Sequence, residues 1–226
     1  MSALVVAGDV SGTCTLQAPS AAGSTVLTLP VIAADTLAGI AATQTLTNKT
    51  LVAPALGTPA SGVLTNCTGV VAAALPAGSV LQVKNFQTGT LATGTTVIPY
   101  DNTIPQITEG TQFLSLAITP TSATSKLLIQ VNVFVSSSVI TFITAALFQD
   151  STANALAGSS FYGSVATGTV IIPFNYFMTS GTTSSTTFTV RCGSNNASTL
   201  TLNGSSGTQE LGGVASSSIT ITEIAA

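Results

Sequence analysis

The clearest pattern of apolar and polar positions in the chain lies at Leu127–Val135. One alternating series of residues is wholly apolar and comprises Leu127, Ile129, Val131, Val133 and Val135. Alternate residues of a strand point to the same face, so the pattern predicts a β-strand with one buried face. The intervening residues are of mixed polarity, namely Leu128, Gln130, Asn132 and Phe134. The second face is therefore expected to be half exposed.

Similar runs, separated by Gly-, Asn- and Pro-bearing loops, follow along the rest of the C-terminal part. Further strands are predicted at Ser79–Asn85, Thr95–Tyr100, Phe113–Thr119, Ile140–Gln149, Val165–Met178, Thr186–Arg191, Thr199–Leu202 and Ser218–Ile224. Many strands, frequent turns and no amphipathic helix predict an all-β fold, an antiparallel β-sandwich of the jelly-roll kind. Near the N-terminus, short strand-like runs flank the turn residues Gly8-Asp9 and Ser11-Gly12.

The aromatic residues mark a boundary in the chain. All nine Phe and three Tyr lie between Phe86 and Phe188, and residues 1–85 contain none. Small side chains alone bury too little area to offset chain entropy, so the N-terminal part is not expected to fold as a lone globule. We divide the chain into an N-terminal segment (1–43), an extended segment called the shaft (44–78) and a C-terminal β-sandwich called the head (79–226). The segment Asp35–Ala42 fits either one helical turn or extended chain.

A short repeat lies within the shaft. The sequence LTNKT at Leu46–Thr50 returns as LTNCT at Leu64–Thr68, an offset of 18 residues, and Pro54 and Pro59 exclude a helix between the two copies. A flexible linker is the simpler interpretation of such a segment. The apolar residues Leu46, Leu51, Leu56 and Leu64 favour instead an extended unit that is buried between chains.

Residues 45–69 resemble a segment that recurs in bacteriophage tail fibres and related virion fibre proteins. The N-terminal stretch GDVSGTCTLQAPSAAGSTVLTLP is similar to another such segment. The stretches LPAGSVLQV, TPTSATSKLLIQV, ALFQDSTANALAGSSFY and SITITEIAA resemble the C-terminal head of phage fibre proteins. The resemblance implies a homotrimeric virion fibre that attaches to other virion structural proteins through its N-terminal segment.

Charge is scarce along the whole chain. Charged residues make up 5% of it, and the four basic residues Lys49, Lys84, Lys126 and Arg191 are scattered. No basic stripe exists to follow phosphates, so nucleic-acid binding is not expected. No apolar run is long enough for a membrane span, and no secretory signal is predicted at the N-terminus. Low charge favours an oligomer over a lone monomer.

The chain offers little catalytic or metal-binding chemistry. It has no histidine, and Cys14, Cys67 and Cys192 form no CxxC motif, so neither a zinc site nor a cofactor is expected. The cysteines are interpreted as buried thiols, the alternative being cysteines that meet across the axis of a symmetric oligomer. The seven acids are far apart in sequence: Asp9, Asp35, Asp101, Asp150, Glu109, Glu210 and Glu223. A pair such as Asp101 and Glu109 is the arrangement that a glycan hydrolase would need. Solvated loop acids are the favoured interpretation, and no enzyme activity is expected.

Two aromatic pairs are candidates for contact with a host receptor. Phe161-Tyr162 and Tyr176-Phe177 are able to stack on sugars, although a place in the core is the favoured interpretation for each pair.

The combined expectation is a trimeric fibre on the surface of a phage particle, made in the host bacterial cytoplasm. It would be attached to the tail and would contact host cell-surface glycan. A capsid fibre or decoration protein, and a tail-associated glycan hydrolase, are the alternatives.

Overall fold

The computed structural model of the chain describes residues 3–7, 13–17 and 75–226. A single 3₁₀ turn occurs in this described part, at Leu211–Gly213. The strands are β1 (Ala3–Ala7), β2 (Thr13–Gln17), β3 (Val80–Thr88), β4 (Ala92–Gly94), β5 (Thr111–Ile118), β6 (Lys126–Ser137), β7 (Thr141–Gln149), β8 (Ala157–Gly163), β9 (Thr169–Thr179), β10 (Thr186–Ser194), β11 (Leu200–Leu202), β12 (Gly204–Ser205), β13 (Thr208–Gln209) and β14 (Ser217–Ile224).

Two antiparallel sheets form a jelly roll. The first sheet has the order β3-β14-β6-β9, and the short strands β11 and β4 continue it beside the C-terminal end of β6. The second sheet has the order β5-β10-β7-β8. Numbered along the chain as eight main strands, the sheets read 1-8-3-6 and 2-7-4-5, which is the strand order of two interlocked Greek keys. The predicted fold class is confirmed.

The core lies between the inner faces of the two sheets. Its buried members from the first sheet include Leu127, Ile129, Val131, Val133, Val135, Ile172, Ile219 and Ile221. Those from the second sheet include Leu114, Ile118, Ile143, Ala145, Leu147, Phe188, Val190 and Cys192. The five apolar residues of β6 are all buried, as the alternation predicts, whereas Gln130 and Asn132 are exposed on the outer face. Burying each large side chain contributes about 2 kcal/mol.

Strand β9 forms one edge of the first sheet. It pairs only with β6, over eleven residues from Thr169 to Thr179. Pro173 lies in its middle, opposite Asn132. Proline lacks an N–H donor, so it is tolerated in a strand only where no neighbouring strand needs that donor. The position of Pro173 is therefore compatible with an edge strand and not with a central one.

Two sequence-based expectations about strands are wrong. Thr95–Tyr100 is irregular, because Pro99 lacks a donor and the segment crosses a sheet face instead of pairing with an edge. The predicted strand Val165–Met178 begins only at Thr169, after a turn in which the N–H of Gly168 donates to the carbonyl of Val165. Strand β8 was not predicted, because its sequence AGSSFYG lacks an apolar alternation.

The chain divides into two compact units, residues 1–62 and 63–226. In the first, β1 and β2 pair antiparallel with Ala3 opposite Gln17, which confirms the predicted strand-like runs. The repeat at residues 46–68 and the segment Asp35–Ala42 lie outside the described residues. Among the residues searched, no helix is long and apolar enough to cross a membrane.

Both termini of the head lie at one end of the jelly roll. The N–H of Gly78 donates to the carbonyl of Ala225, and the N–H of Ala225 donates to the carbonyl of Ser79. A turn from Pro76 to Ser79 places Gly78 at a φ of 87°, which favours glycine, and leads into β3. The opposite end of the roll carries the loops before β7 and after β10.

Glu223 on β14 is a buried carboxylate that ties the two sheets together. Its Oε1 accepts hydrogen bonds from the backbone N–H of Thr121 (2.8 Å) and the hydroxyl of Ser125 (2.6 Å), both in the loop between β5 and β6. Its Oε2 accepts from the side-chain amide of Gln82 on β3 (2.6 Å). Burial raises the pKa of Glu223, but the hydrogen bonds from Ser125, Gln82 and Thr121 outweigh it and leave the pKa below its usual value.

Replacing Glu223 by Gln is expected to lower the free energy of unfolding by roughly 1.5–3 kcal/mol, since hydrogen bonds to a charged acceptor are worth about that much. The Glu223 pKa is lower in the folded than in the unfolded protein. Its contribution is therefore complete above the unfolded pKa and is lost as pH falls through the folded value. Urea denaturation between about pH 7 and pH 3 measures both effects.

Glu210→Gln is the matched control, because the Glu210 side chain makes no capping hydrogen bond to the 3₁₀ turn that follows it. The control should unfold at the same urea concentration as the unmodified protein at neutral pH. Equal stability of the Glu223 and Glu210 variants would contradict the role given to Glu223.

Candidate functional site

A loop covers part of the outer face of the second sheet. Residues 95–110 run from β4 to β5 across that face, and Ile98 is buried there against Ala146 and Phe148 of β7. Three backbone hydrogen bonds tie the loop to its surroundings: Ile98 N–H donates to the Ser194 carbonyl, Ile107 N–H to the Ala153 carbonyl, and Ala155 N–H to the Pro105 carbonyl. Ile98, Ala146 and Phe148 form an apolar cluster separate from the main core, and this cluster holds the loop on the sheet.

Gly193 allows the loop to approach this closely. A Cβ at Gly193 would meet the backbone nitrogen of Ile98 and the carbonyl carbon of Val97. Backbone atoms are unable to move aside as a flexible side chain would. Any larger residue at this position would therefore push the loop away from β10.

A groove remains where the loop ends short of β8. It has a volume of about 420 Å³ and lies between the loop and the outer faces of β7 and β8. This size falls in the range of roughly 300–1,000 Å³ that is common for small-molecule sites. The residues that line it are Pro99, Tyr100, Asp101, Thr103, Pro105, Thr144, Gly158, Ser159 and Ser160.

Three aromatic rings stand side by side next to the groove. Tyr100 stacks on Phe142 with ring centroids 3.9 Å apart and planes 5° apart. Tyr162 is tilted against the same Phe142 ring, with centroids 4.9 Å apart and planes at 50°. Tyr100 is 52% exposed and Tyr162 is 51% exposed. Both phenol rings therefore present an apolar surface to solvent, and both are supported by Phe142.

The strand register places these rings in line with the groove. Phe142 pairs with Tyr162 and Thr144 pairs with Ser160, so all four side chains belong to the same face of the sheet. Phe142 is the second residue of β7, whose first residue lies at the end of the roll opposite the head's termini. The aromatic cluster thus lies toward the end remote from the point where the chain enters the head.

Asp101 is the one charged residue among those that line the groove. Its Oδ1 accepts hydrogen bonds from the N–H of Thr103 (2.8 Å) and from the Thr103 hydroxyl (2.6 Å). These hydrogen bonds lower the pKa of Asp101 below its usual value, so the carboxylate is ionised at neutral pH. Arg191 on β10 directs its Nε to the Glu109 carbonyl and its Nη2 to the Gly110 carbonyl.

Hydroxyl groups and a bare stretch of backbone form the floor. The hydroxyls of Thr144 and Ser160 lie 2.6 Å apart and share one hydrogen bond, so lone pairs of both remain available as acceptors. Gly158, next along β8 on the same face, is exposed and has no side chain to fill the groove. The site therefore combines apolar ring faces with several hydrogen-bonding oxygens.

The four aromatic residues predicted as candidates lie in different environments. Phe161 and Tyr162 on β8 are exposed, as is Phe177 on β9, so the interpretation that both pairs fill the core is wrong for these three. Tyr162 and Phe177 lie on the outer faces of their sheets, opposite Phe142 and Leu128. Phe161 lies on the inner face but on β8, an edge strand, where the core does not cover it. Tyr176 packs against the main core, as that interpretation expects. Tyr100 and Phe142 were missed, because 42 residues separate them and only the loop brings them together.

The other candidate groups do not form a site in the described residues. Asp101 and Glu109 have separate partners, since Glu109 accepts a hydrogen bond from the backbone N–H of Gln106. Within the residues searched, no group of three or more His, Cys, Asp or Glu side chains could hold a metal ion. Cys192 is buried, as predicted, and burial raises its pKa to about 12. The side chains of Cys14 and Cys67 lie outside the described residues.

Comparison with known families and curated sequences finds no match. Among solved structures, the chain is similar to the Eiger TNF from S. frugiperda, with 11% identity and a TM-score of 0.35, over 63% of this chain and 93% of that one. A structure of infectious bursal disease virus, Gt strain, matches with 16% identity and a TM-score of 0.34, over 66% of this chain and 39% of that one. Dimeric latent PorU from Porphyromonas gingivalis matches with 9% identity and a TM-score of 0.32, over 66% and 14%.

These likenesses are too distant to bear on function. The chain spans well under half the length of the virus and PorU chains it matches. What the chain does is therefore argued from its own residues.

The neighbours Tyr176 and Phe177 allow the two environments on β9 to be compared directly. Tyr176→Ala should lower the free energy of unfolding by about 2 kcal/mol, because this ring packs partly against the core. Phe177→Ala should cost less than about 1 kcal/mol, since Phe177 is 58% exposed on the outer face. Urea denaturation of the two variants measures the difference, and a larger loss for Phe177 would contradict the described register of β9.

Proposed function

We propose that the chain is a structural fibre of a bacteriophage virion, a homotrimer attached to the tail, whose C-terminal jelly-roll head contacts the host surface. The fibre part of the proposal rests on residues 45–69 and on the head segments that resemble phage fibre proteins. The jelly-roll fold of the head agrees with that resemblance.

The arrangement of the head is the observation that carries the adhesive part. The chain enters and leaves the roll at one end, beside Gly78 and Ala225. The exposed rings of Tyr100 and Tyr162 lie toward the opposite end, on an open sheet face. The head is attached through one end and presents aromatic surface toward the other. This arrangement suits contact with the host surface, because function concentrates on exposed loops of a rigid scaffold.

The outer face of the first sheet supports an oligomer. Val83, Ile171 and Phe177 are exposed there and Leu128 and Phe134 are half buried. The uncharged polar residues Gln130, Asn132 and Asn175 lie in the middle of this face. The charged residue of β6 on this face, Lys126, stands at one end of the strand and donates to the Thr179 hydroxyl. Apolar area with so little charge around it is typical of surfaces that meet other protein.

The proposal includes no catalytic activity. A glycan hydrolase of the two-carboxylate kind needs a second acid near the first, and Asp101 is the one acid that lines the groove. Attachment to other virion proteins would use the N-terminal segment, and no cofactor, nucleic acid or membrane takes part.

The full-length protein is expected to have a mass near three times the 22.4 kDa of one chain. Light scattering after gel filtration measures it. Because few charges are available for ionic contacts, the mass should not change between about 0.1 M and about 1 M salt, where screening removes most surface charge interactions. A well-folded monomer would contradict the trimer and leave residues 44–78 as a linker.

A capsid fibre or decoration protein would have the same fold and oligomeric state, so its location on the particle decides between the two. We expect gold-labelled antibody against the head to mark the tail of the phage particle in electron micrographs. Label spread over the capsid would replace tail attachment by the capsid alternative, and a particle without label would contradict both.

A further inference from the structure

We propose that the groove between the 95–110 loop and strands β7 and β8 binds an uncharged saccharide and rejects acidic ones. This inference rests on the proposed adhesive function and names the ligand class and the site. It follows from three properties of the site: the aromatic rings, of which Tyr100 lines the groove and Phe142 and Tyr162 stand beside it, the hydroxyl groups of the floor, and a single negative charge.

The aromatic rings set the first requirement on a ligand. Tyr100 is held flat against Phe142, so only its outward face is free, and the Tyr162 ring lies tilted beside the same support. A pyranose ring has an apolar face of C–H groups that covers such a ring and removes apolar area from water. Because Phe142 fixes the orientation of Tyr100, little side-chain freedom remains to be lost on binding.

The floor sets the second requirement. The groove is lined by the hydroxyls of Thr144 and Ser160 on the strands and by the Asp101 carboxylate on the loop, all of which form hydrogen bonds. Oδ1 of Asp101 holds Thr103, and a carboxylate has further acceptor capacity on its second oxygen. Ligand hydroxyl groups satisfy such acceptors, whereas a purely apolar ligand would leave them without partners.

The charge of the groove sets the third requirement. No lysine or arginine is among the described residues that line it, and Asp101 is negative. The guanidinium of Arg191 is engaged with the carbonyls of Glu109 and Gly110. A carboxylate or sulfate on a sugar would meet repulsion from Asp101 with no cation to offset it. Saccharides without anionic groups are therefore preferred.

The test uses the full-length protein on an array of neutral oligosaccharides of glucose, galactose, mannose and N-acetylglucosamine. Matched oligosaccharides that carry sialic acid or glucuronate are printed beside them. We expect binding to one or more neutral sugars and at least tenfold weaker binding to their acidic counterparts. Binding to none of the neutral sugars, or stronger binding to the acidic ones, would overturn the inference.

Variants then locate the binding site. Tyr100→Ala and Tyr162→Ala should each weaken binding of the best neutral sugar by about tenfold, since each removes one ring face. Asp101→Asn should keep the neutral sugar within about threefold and raise binding of its acidic counterpart severalfold. The amide oxygen still accepts from Thr103 and the amide NH2 donates to a sugar hydroxyl, while the side chain carries no charge.

Phe161→Ala is the matched control. Phe161 is exposed like its neighbour Tyr162, but it belongs to the other face of β8, opposite Ile143 of the core-facing series. This variant should bind as the unmodified protein does. Equal loss in the Phe161 and Tyr162 variants, or no loss in either tyrosine variant, would place the site elsewhere. The trimer mass and the gold-label position do not depend on the groove, so they test the virion role separately.

Discussion

The buried face of β6 is the constraint on which the rest of the head depends. Its alternate residues from Leu127 to Val135 fill the space between the sheets, and the strand pairs along one edge with β9 and along the other with β14 and then β11. A shift of one residue would turn the whole apolar series outward. Strand β6 therefore sets the register of its three neighbours. It also determines which side chains form the outer face, because the residues between its core-facing positions point outward.

Glu223 positions a loop that the apolar core does not position. Packing of the two inner sheet faces does not by itself fix the loop from β5 to β6, which crosses from one sheet to the other. A buried carboxylate gathers donors from that loop and from β3. The partners that it has in the described residues are uncharged, so they must all be present for its charge to be tolerated. One acid in a nearly uncharged chain thus specifies how the sheets are joined.

The sequence predicts the regular parts of the fold well and the site poorly, for a physical reason. Strand β6 was predicted because a strand buried on one face must alternate, and the fold class followed from the number of such strands. Strand β8, with Gly158 and Ser160, carries no alternation because an edge strand needs little burial, and Thr95–Tyr100 is rich in β-branched residues without being a strand. These two segments form the groove. No local sequence pattern links Tyr100 with Phe142, because only the fold brings the two rings together.

The scarcity of charge in this chain affects binding in two opposed ways. It leaves apolar surface on the first sheet that favours contact between copies, and it leaves the groove of the second sheet with weak, mostly uncharged contacts. A single shallow groove with a few hydrogen bonds and two exposed rings would hold a sugar only weakly. In a trimer, three such grooves would face the same surface, and each binding event after the first would be intramolecular. The proposed trimer would thus make a weak sugar site sufficient for the proposed adhesion.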